Sequence, residues 1–204
     1  MLTPHFTTHL LYLHGFRSSP QSAKARQVTA RVQAQHPGVT WWCPQLPPSP
    51  RQAIDLLRQG IADWPWETMA VVGSSLGGFY ATWIAEHTGC KAVLLNPAVD
   101  PARDLARYIG EQTTWQNPQE RFFFEPAFIG ELEALALHNQ PPPERYRVLI
   151  AKGDEVLDWR EMAARYASAQ PTLVEGGDHA LSDFDAHIDG VFRFLNLLPG
   201  PSPQ

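Results

Sequence analysis

Between Met69 and His87 an apolar run breaks into Gly73-Ser74-Ser75-Leu76-Gly77-Gly78 and resumes as a helix-patterned segment, a junction that few chain folds can accommodate. Ala70, Val71 and Val72 read as a strand buried on both faces, and Phe79 to Ala85 continue as a helix without proline. Gly73, Ser75 and Gly77 stand at the spacing G-x-S-x-G. Small residues on either side let the strand and helix backbones approach closely, while the strained turn holds the serine hydroxyl off the end of the sheet. Ser75 is therefore a candidate nucleophile. A glycine-rich turn that merely packs a helix on a sheet carries the same local pattern, so the rest of the chain must decide.

The rest of the chain alternates in the same way. Thr8–Leu13, Val39–Cys43, Lys91–Val99, Arg147–Ala151 and Thr172–Glu175 read as further strands. Helices are expected from Ser19 and Pro20 to about Gln35, over Arg51–Trp64, Asp158–Ala169 and Phe184–Leu198, with the tail Pro199–Gln204 frayed. Six strands with intervening helices imply an α/β fold, a parallel sheet covered on both faces, because right-handed crossovers place a helix between successive parallel strands. One connection is unusually long. Asp100–Tyr146 shows no strand pattern, only helical stretches near Pro101–Ile109 and Pro126–Leu137, and reads as a short helical lid-like insertion (about residues 100–146) in one 204-residue domain.

Composition narrows the partners. With 44% hydrophobic and 18% charged residues and a formal net charge of −5, the chain offers no general attraction to nucleic acid or anionic lipid. No apolar run approaches the ~20 residues of a membrane span, and the N-terminus lacks a signal-peptide pattern, so a soluble, cytoplasmic protein is expected. Cys43 and Cys90 are too few for a disulfide scaffold and lack metal-ligand spacing, which leaves them reduced and packed. Oligomeric state is not written in these features.

Ligands of open parallel sheets collect at the carboxyl ends of the strands. Four strands here end in polar residues of different chemistry: His14-Gly15, Ser75, Asp154 and His179. A serine hydroxyl needs a base within hydrogen-bond reach, and that base needs an acid to fix its tautomer. His179 is the candidate base and Asp154 the candidate acid, in the chain order Ser, Asp, His expected for α/β-hydrolases. An oxyanion formed on acyl attack would be held by two backbone N–H groups, those of Leu76 after the nucleophile and Phe16 after the first strand. His14 reads as a structural hydrogen-bonding residue of that loop and, with less weight, a substrate contact.

The blocks YLHGFRSSPQSAKA, GSSLGGFYA, LLNPAVDPARDL, GDEVLDWRE and GGDHALSDF together resemble the successive signatures of the YqiA-type esterases, small bacterial α/β-hydrolases, over nearly the whole chain from Leu11. The resemblance implies a compact α/β-hydrolase core without the first two strands of the full superfamily sheet, and esterase activity on short acyl esters. By position it matches Ser75 to the nucleophile, Asp154 to the acid and His179 to the base.

Rival acids are Glu155, Asp158, which reads more plainly as a helix cap, and Asp178, which should point away from its neighbour His179; Asp100, after the fourth strand, is a further alternative ranked below Asp154, because some hydrolases take their acid there. Ser74, one step off the pattern, is expected to point away from substrate. Trp115, Phe122, Phe123, Phe124 and Phe128 form either a wall for an acyl chain or the insertion's own core, with Trp115 and Phe124 as candidate substrate contacts. Arg17 and Lys24, near the first loop, read as ordinary solvated charges ahead of the alternative that they hold a substrate carboxylate or phosphate. The expected function is a serine esterase acting on a small-molecule carboxylic ester or thioester through an acyl-enzyme on Ser75, with no metal and no cofactor. An acyltransferase or lipid-handling enzyme using the same three residues, and a non-catalytic binding protein on the same fold, are the alternatives.

Overall fold

In β1 (His9–Leu13), Leu11 and Leu13 face one side of a sheet and Leu10 and Tyr12 the other, the two-residue period of a strand with both faces covered. The computed structural model, which describes residues 6–197, repeats this alternation in β3 (Met69–Ser74), β4 (Lys91–Leu95) and β7 (Tyr146–Ala151). With the shorter β2 (Thr40–Trp42) and β8 (Thr172–Val174) they form a six-stranded sheet in the order β2-β1-β3-β4-β7-β8, every pair parallel. The chain moves outward from β1 to β2 and then returns to the other side of β1 with β3. That reversal leaves a crevice at the carboxyl ends of β1 and β3.

Two cores follow from the two faces. Ala25, Val28 and Val32 of α1 (Ala23–Gln35) pack with Ile188, Val191 and Leu195 of α7 (Ile188–Leu195) on one. On the other lie α2 (Pro50–Gly60), α3 (Leu76–Thr88), α5 (Ala127–Leu135) and α6 (Trp159–Arg165). Each fully buried leucine or isoleucine in these layers contributes about 1.5–3 kcal/mol relative to exposure. The sheet is thereby a rigid frame for the loops at its rim. Among the described residues, no helix is long and apolar enough to cross a membrane.

The insertion is where the expectation of helices alone fails. After α4 (Pro101–Leu105) and a 3-10 turn at Ala106–Tyr108, β5 (Gly110–Thr113) pairs antiparallel with β6 (Arg121–Phe124), so the insertion contains a hairpin before α5. Each strand is only four residues and β5 is polar, too short and too weakly patterned to register as a strand. Glu131 of α5 ties the insertion to the body: its Oε2 accepts from Ser49 Oγ at 2.7 Å and Arg51 N at 3.0 Å, placing negative charge at the N-terminus of α2.

Helix ends also differ from the expected ones. α1 opens at Ala23 rather than near Ser19, because Ser19 closes a separate turn with Ser22 N–H. α2 stops at Gly60 instead of running to Trp64, with Ile61 as its C-cap, and a Cβ on Gly60 would overlap the Trp42 ring at 2.0 Å. The C-terminal segment forms a 3-10 turn at Phe184–Ala186 and then α7, which ends at left-handed Asn196 with φ 51°. Leu198 and the tail Pro199–Gln204 lie outside the described residues.

Candidate active site

Ser75 occupies the turn between β3 and α3 with φ 56° and ψ −121°, a conformation that costs a non-glycine residue about 1–3 kcal/mol. The surroundings hold it there. Ser75 N donates to Leu95 O at 3.0 Å, and Ser75 O accepts from Gly78 N at 2.8 Å and Ala98 N at 3.0 Å. The flanking glycines are needed for close approach: a Cβ on Gly73 would lie 2.2 Å from Gly77 O, and one on Gly77 would lie 2.0 Å from Leu13 O. The serine is thus pinned where β1, β3 and α3 crowd together.

Asp154 and His179 reach the same rim from β7 and β8. His179 Nε2 lies 3.0 Å from Ser75 Oγ, and His179 Nδ1 lies 2.8 Å from Asp154 Oδ2. The other carboxylate oxygen, Oδ1, accepts from Val156 N and Leu157 N, both at 2.8 Å, so the Asp154 side chain, which has no exposed surface, is fixed by three donors. A carboxylate on Nδ1 selects the tautomer whose Nε2 is free to accept from the serine. His179 N donates to Glu155 Oε2 at 3.0 Å, a backbone anchor that the sequence left among the rival acids.

The other acids are occupied elsewhere. Asp100 and Asp158 cap α4 and α6 by accepting from Arg103 N and Arg160 N. Asp178 accepts from both N and Oγ of Ser182, which hold its carboxyl below the ordinary range.

Above Ser75 runs the loop after β1. His14 Nε2 accepts from Leu46 N at 3.0 Å, which requires that Nδ1–H donate to Gly15 O at 2.9 Å. Burial lowers the pKa of this ring, so His14 is a neutral clip shaping the loop. Among the described residues, Phe16 N–H donates to no protein acceptor. Leu76 N–H opens α3, where the first amides have no intrahelical partner. The Phe16 ring packs edge-on against Phe122 and Phe124, linking this loop to the insertion.

Phe124 corrects one expectation. It is 1% exposed and wedged between Phe16 and Phe128, inside the insertion's core and away from the cavities at Ser75. Trp115, 64% exposed, borders both cavities. Neither nearby cation is a bare solvated charge. Arg17 Nε and Nη2 donate to Thr113 O at 2.7 Å and Thr113 Oγ1 at 3.0 Å, with the guanidinium 4.0 Å over the Trp115 ring. Lys24 Nζ donates to Ala180 O, and burial pulls its pKa down to about 8 against the attraction of Asp178 and Asp154.

Two recesses meet at Ser75 and His179. One, about 200 Å³, is walled by Leu76, Ala98, Leu105, Tyr108 and Leu157. The second, about 450 Å³, is bordered by Ser18, Ser22, Lys24, Gln116 and Glu155, with the buried Ser74 at its edge. Asn96, passed over in the sequence, is fully buried beneath the rim and bonds to the loops that carry Asp154 and His179. Its signal was a lone amide at the end of an apolar strand. Both thiols are shifted up by burial, Cys90 to about 11 and Cys43 to about 12, so each stays protonated. Among the described residues, no group of three or more His, Cys, Asp or Glu is placed to hold a metal ion.

A parallel sheet carrying a strained serine after β3, a carboxylate after β7 and a histidine after β8 defines the α/β-hydrolase fold. Solved structures share it: an Agrobacterium vitis S4 protein aligns at 17% identity with TM-score 0.72, covering 92% of this chain and 87% of the other. Mouse alpha/beta hydrolase domain-containing protein 10 aligns at 18% identity and TM-score 0.65 over 95% and 92% of the two chains. The esterase domain of a Rhodothermus marinus protein aligns at 17% and 0.62 over 95% and 86%. Residues 9–196 match UPF0227, described as an uncharacterised protein family, and the chain belongs to that family, the YqiA family.

Proposed function

We propose that this protein is a serine esterase that hydrolyses short-chain carboxylic esters, and by the same chemistry thioesters, through an acyl-enzyme on Ser75. The observation that carries the reading is the continuous hydrogen-bonded path from Ser75 Oγ to His179 at 3.0 Å and from His179 to Asp154 at 2.8 Å. As Ser75 Oγ attacks the ester carbonyl, its proton passes to His179 Nε2, and Asp154 stabilises the imidazolium. The carbonyl oxygen takes up the negative charge and accepts from Phe16 N–H and Leu76 N–H. Collapse of this intermediate breaks the C–O bond, and His179 returns the proton to the departing alcohol. Water then gives a proton to His179 and attacks the acyl carbon; the bond to Ser75 Oγ breaks, His179 returns the proton to that oxygen, and the carboxylic acid leaves.

The apolar recess suits the acyl chain. At about 30 Å³ per water-sized group, its volume of about 200 Å³ holds roughly six non-hydrogen atoms. The second and larger recess, which opens from the same serine and histidine, is left for the alcohol. Substituting Ser75→Ala is expected to lower p-nitrophenyl butyrate hydrolysis by about 10⁴-fold or more and to abolish labelling by a fluorophosphonate, with the circular-dichroism spectrum unchanged. Undiminished turnover in that variant would remove the mechanism.

A further inference from the structure

Three loops must be held in register for the proposed chemistry, and one buried residue bonds through its side chain to the backbone of two of them and stands beside the residues that clamp the third. Asn96 follows β4 at φ 43°, a left-handed conformation that asparagine tolerates better than most residues. Its own N–H donates to Leu149 O at 2.9 Å, and its neighbours Leu95 and Ala98 supply the carbonyl and amide that clamp Ser75 on both sides. The side chain then reaches across the rim. Oδ1 accepts from Ala151 N at 2.8 Å, at the end of the strand that delivers Asp154. Nδ2 donates to Asp178 O at 3.0 Å and His179 O at 3.1 Å.

This assignment of the amide is forced, because an N–H faces one end and two carbonyl oxygens face the other. One acceptor and two donors within so short a reach are available only from asparagine. The base loop needs such a tie, since it leaves β8 through two left-handed glycines, Gly176 at φ 68° and Gly177 at φ 71°, which impose little conformation of their own. We propose that Asn96 is the positioning residue that holds the His179 loop against the Ser75 turn and the Asp154 strand. The role rests on the esterase reading for its kinetic consequence, while its structural consequence can be read without turnover.

A misplacement of about 1 Å costs on the order of 10²-fold in rate. Asn96→Ala is therefore expected to lower kcat on p-nitrophenyl butyrate by about 100-fold while KM stays within about threefold. In the His179→Ala background the same substitution is expected to change kcat by less than about threefold, because the group it positions is gone. Independently of activity, the strongly deshielded Nδ1 proton of His179, observed by NMR at low temperature and absent from His179→Ala, is expected to be lost in Asn96→Ala. Retention of that proton with near-native kcat, or an equal loss of kcat in both backgrounds, overturns the proposal. Should alanine prevent folding, the nearly isosteric Asn96→Asp, which supplies at most one of the two protons, enters the same assays with the same expected losses and the same refutations. Failure of the esterase reading itself would look different: Ser75→Ala would keep its turnover while the His179 proton still responded to Asn96.

Discussion

Replacing Arg17 by methionine tests whether the hairpin of the insertion is held by the loop that shapes the proposed oxyanion site. Methionine keeps the apolar stem and the left-handed backbone requirement at φ 59°, but removes both donors to Thr113 and the cation over Trp115. Hydrogen bonds from a charged donor contribute about 1.5–3 kcal/mol each. Because Arg17 is only half-buried, the low end applies, and two bonds give about 3 kcal/mol, with roughly 0.5–1 more from the ring contact. At 1.36 kcal/mol per tenfold, opening of the hairpin should become roughly 10²·⁵- to 10³-fold more frequent. Hydrogen exchange at a fixed pH, followed by mass spectrometry over residues 110–124, reads this directly. KM for p-nitrophenyl butyrate should rise with it, since Trp115 borders both recesses, whereas kcat should change less. Protection altered by less than about threefold would refute the clamp. It would mean that Phe122 and Phe124, packed on Phe16, and the Trp115 N bond to Arg17 O hold the hairpin unaided.

Two further outcomes follow from the crowding and the burial at the same rim. Gly77→Ala would drive a Cβ to 2.0 Å from Leu13 O and 2.6 Å from His14 O, both backbone atoms that cannot swing aside. Thermal melts should show a loss of about 1–3 kcal/mol or more and fluorophosphonate labelling should fail; a native melting temperature with full labelling would show that α3 is free to move off β1. His14 is held neutral with a lowered pKa, so the unfolded chain binds the proton more readily than the folded one. Stability is then present above the unfolded pKa near 6.5 and is lost as pH falls through the lower folded value. Melting temperatures should drop as pH falls below about 6.5, and His14→Gln should flatten that drop, leaving the slope supplied by His9, lowered by the same cause. An unchanged slope would remove His14 as the source.

What the sequence disclosed and what it hid divide along one physical line. The strands were legible because burial on both faces writes continuous apolar runs, as in Ala70–Val72 and Val148–Ala151. The positions of Ser75, Asp154 and His179 were legible because parallel strands deliver their last residues to one edge, whatever lies between. The β5–β6 hairpin was not, since its strands are four residues each and the guanidinium bonded to Thr113 belongs to Arg17, 96 positions earlier. Phe124 was ambiguous for the same reason: wall or core depends on where Phe16 stands, and only the folded chain brings the two together. Asn96 is the extreme case, with side-chain partners 55, 82 and 83 positions away and none nearby to announce it. Local pattern therefore reveals which groups carry chemistry, while the groups that hold them at 3 Å, where a small displacement decides the rate, are fixed by long-range hydrogen bonds. A buried amide ending an apolar strand, next to loops that must stay in register, is accordingly the kind of residue to examine when a reactive site of this fold is altered without touching its reacting atoms.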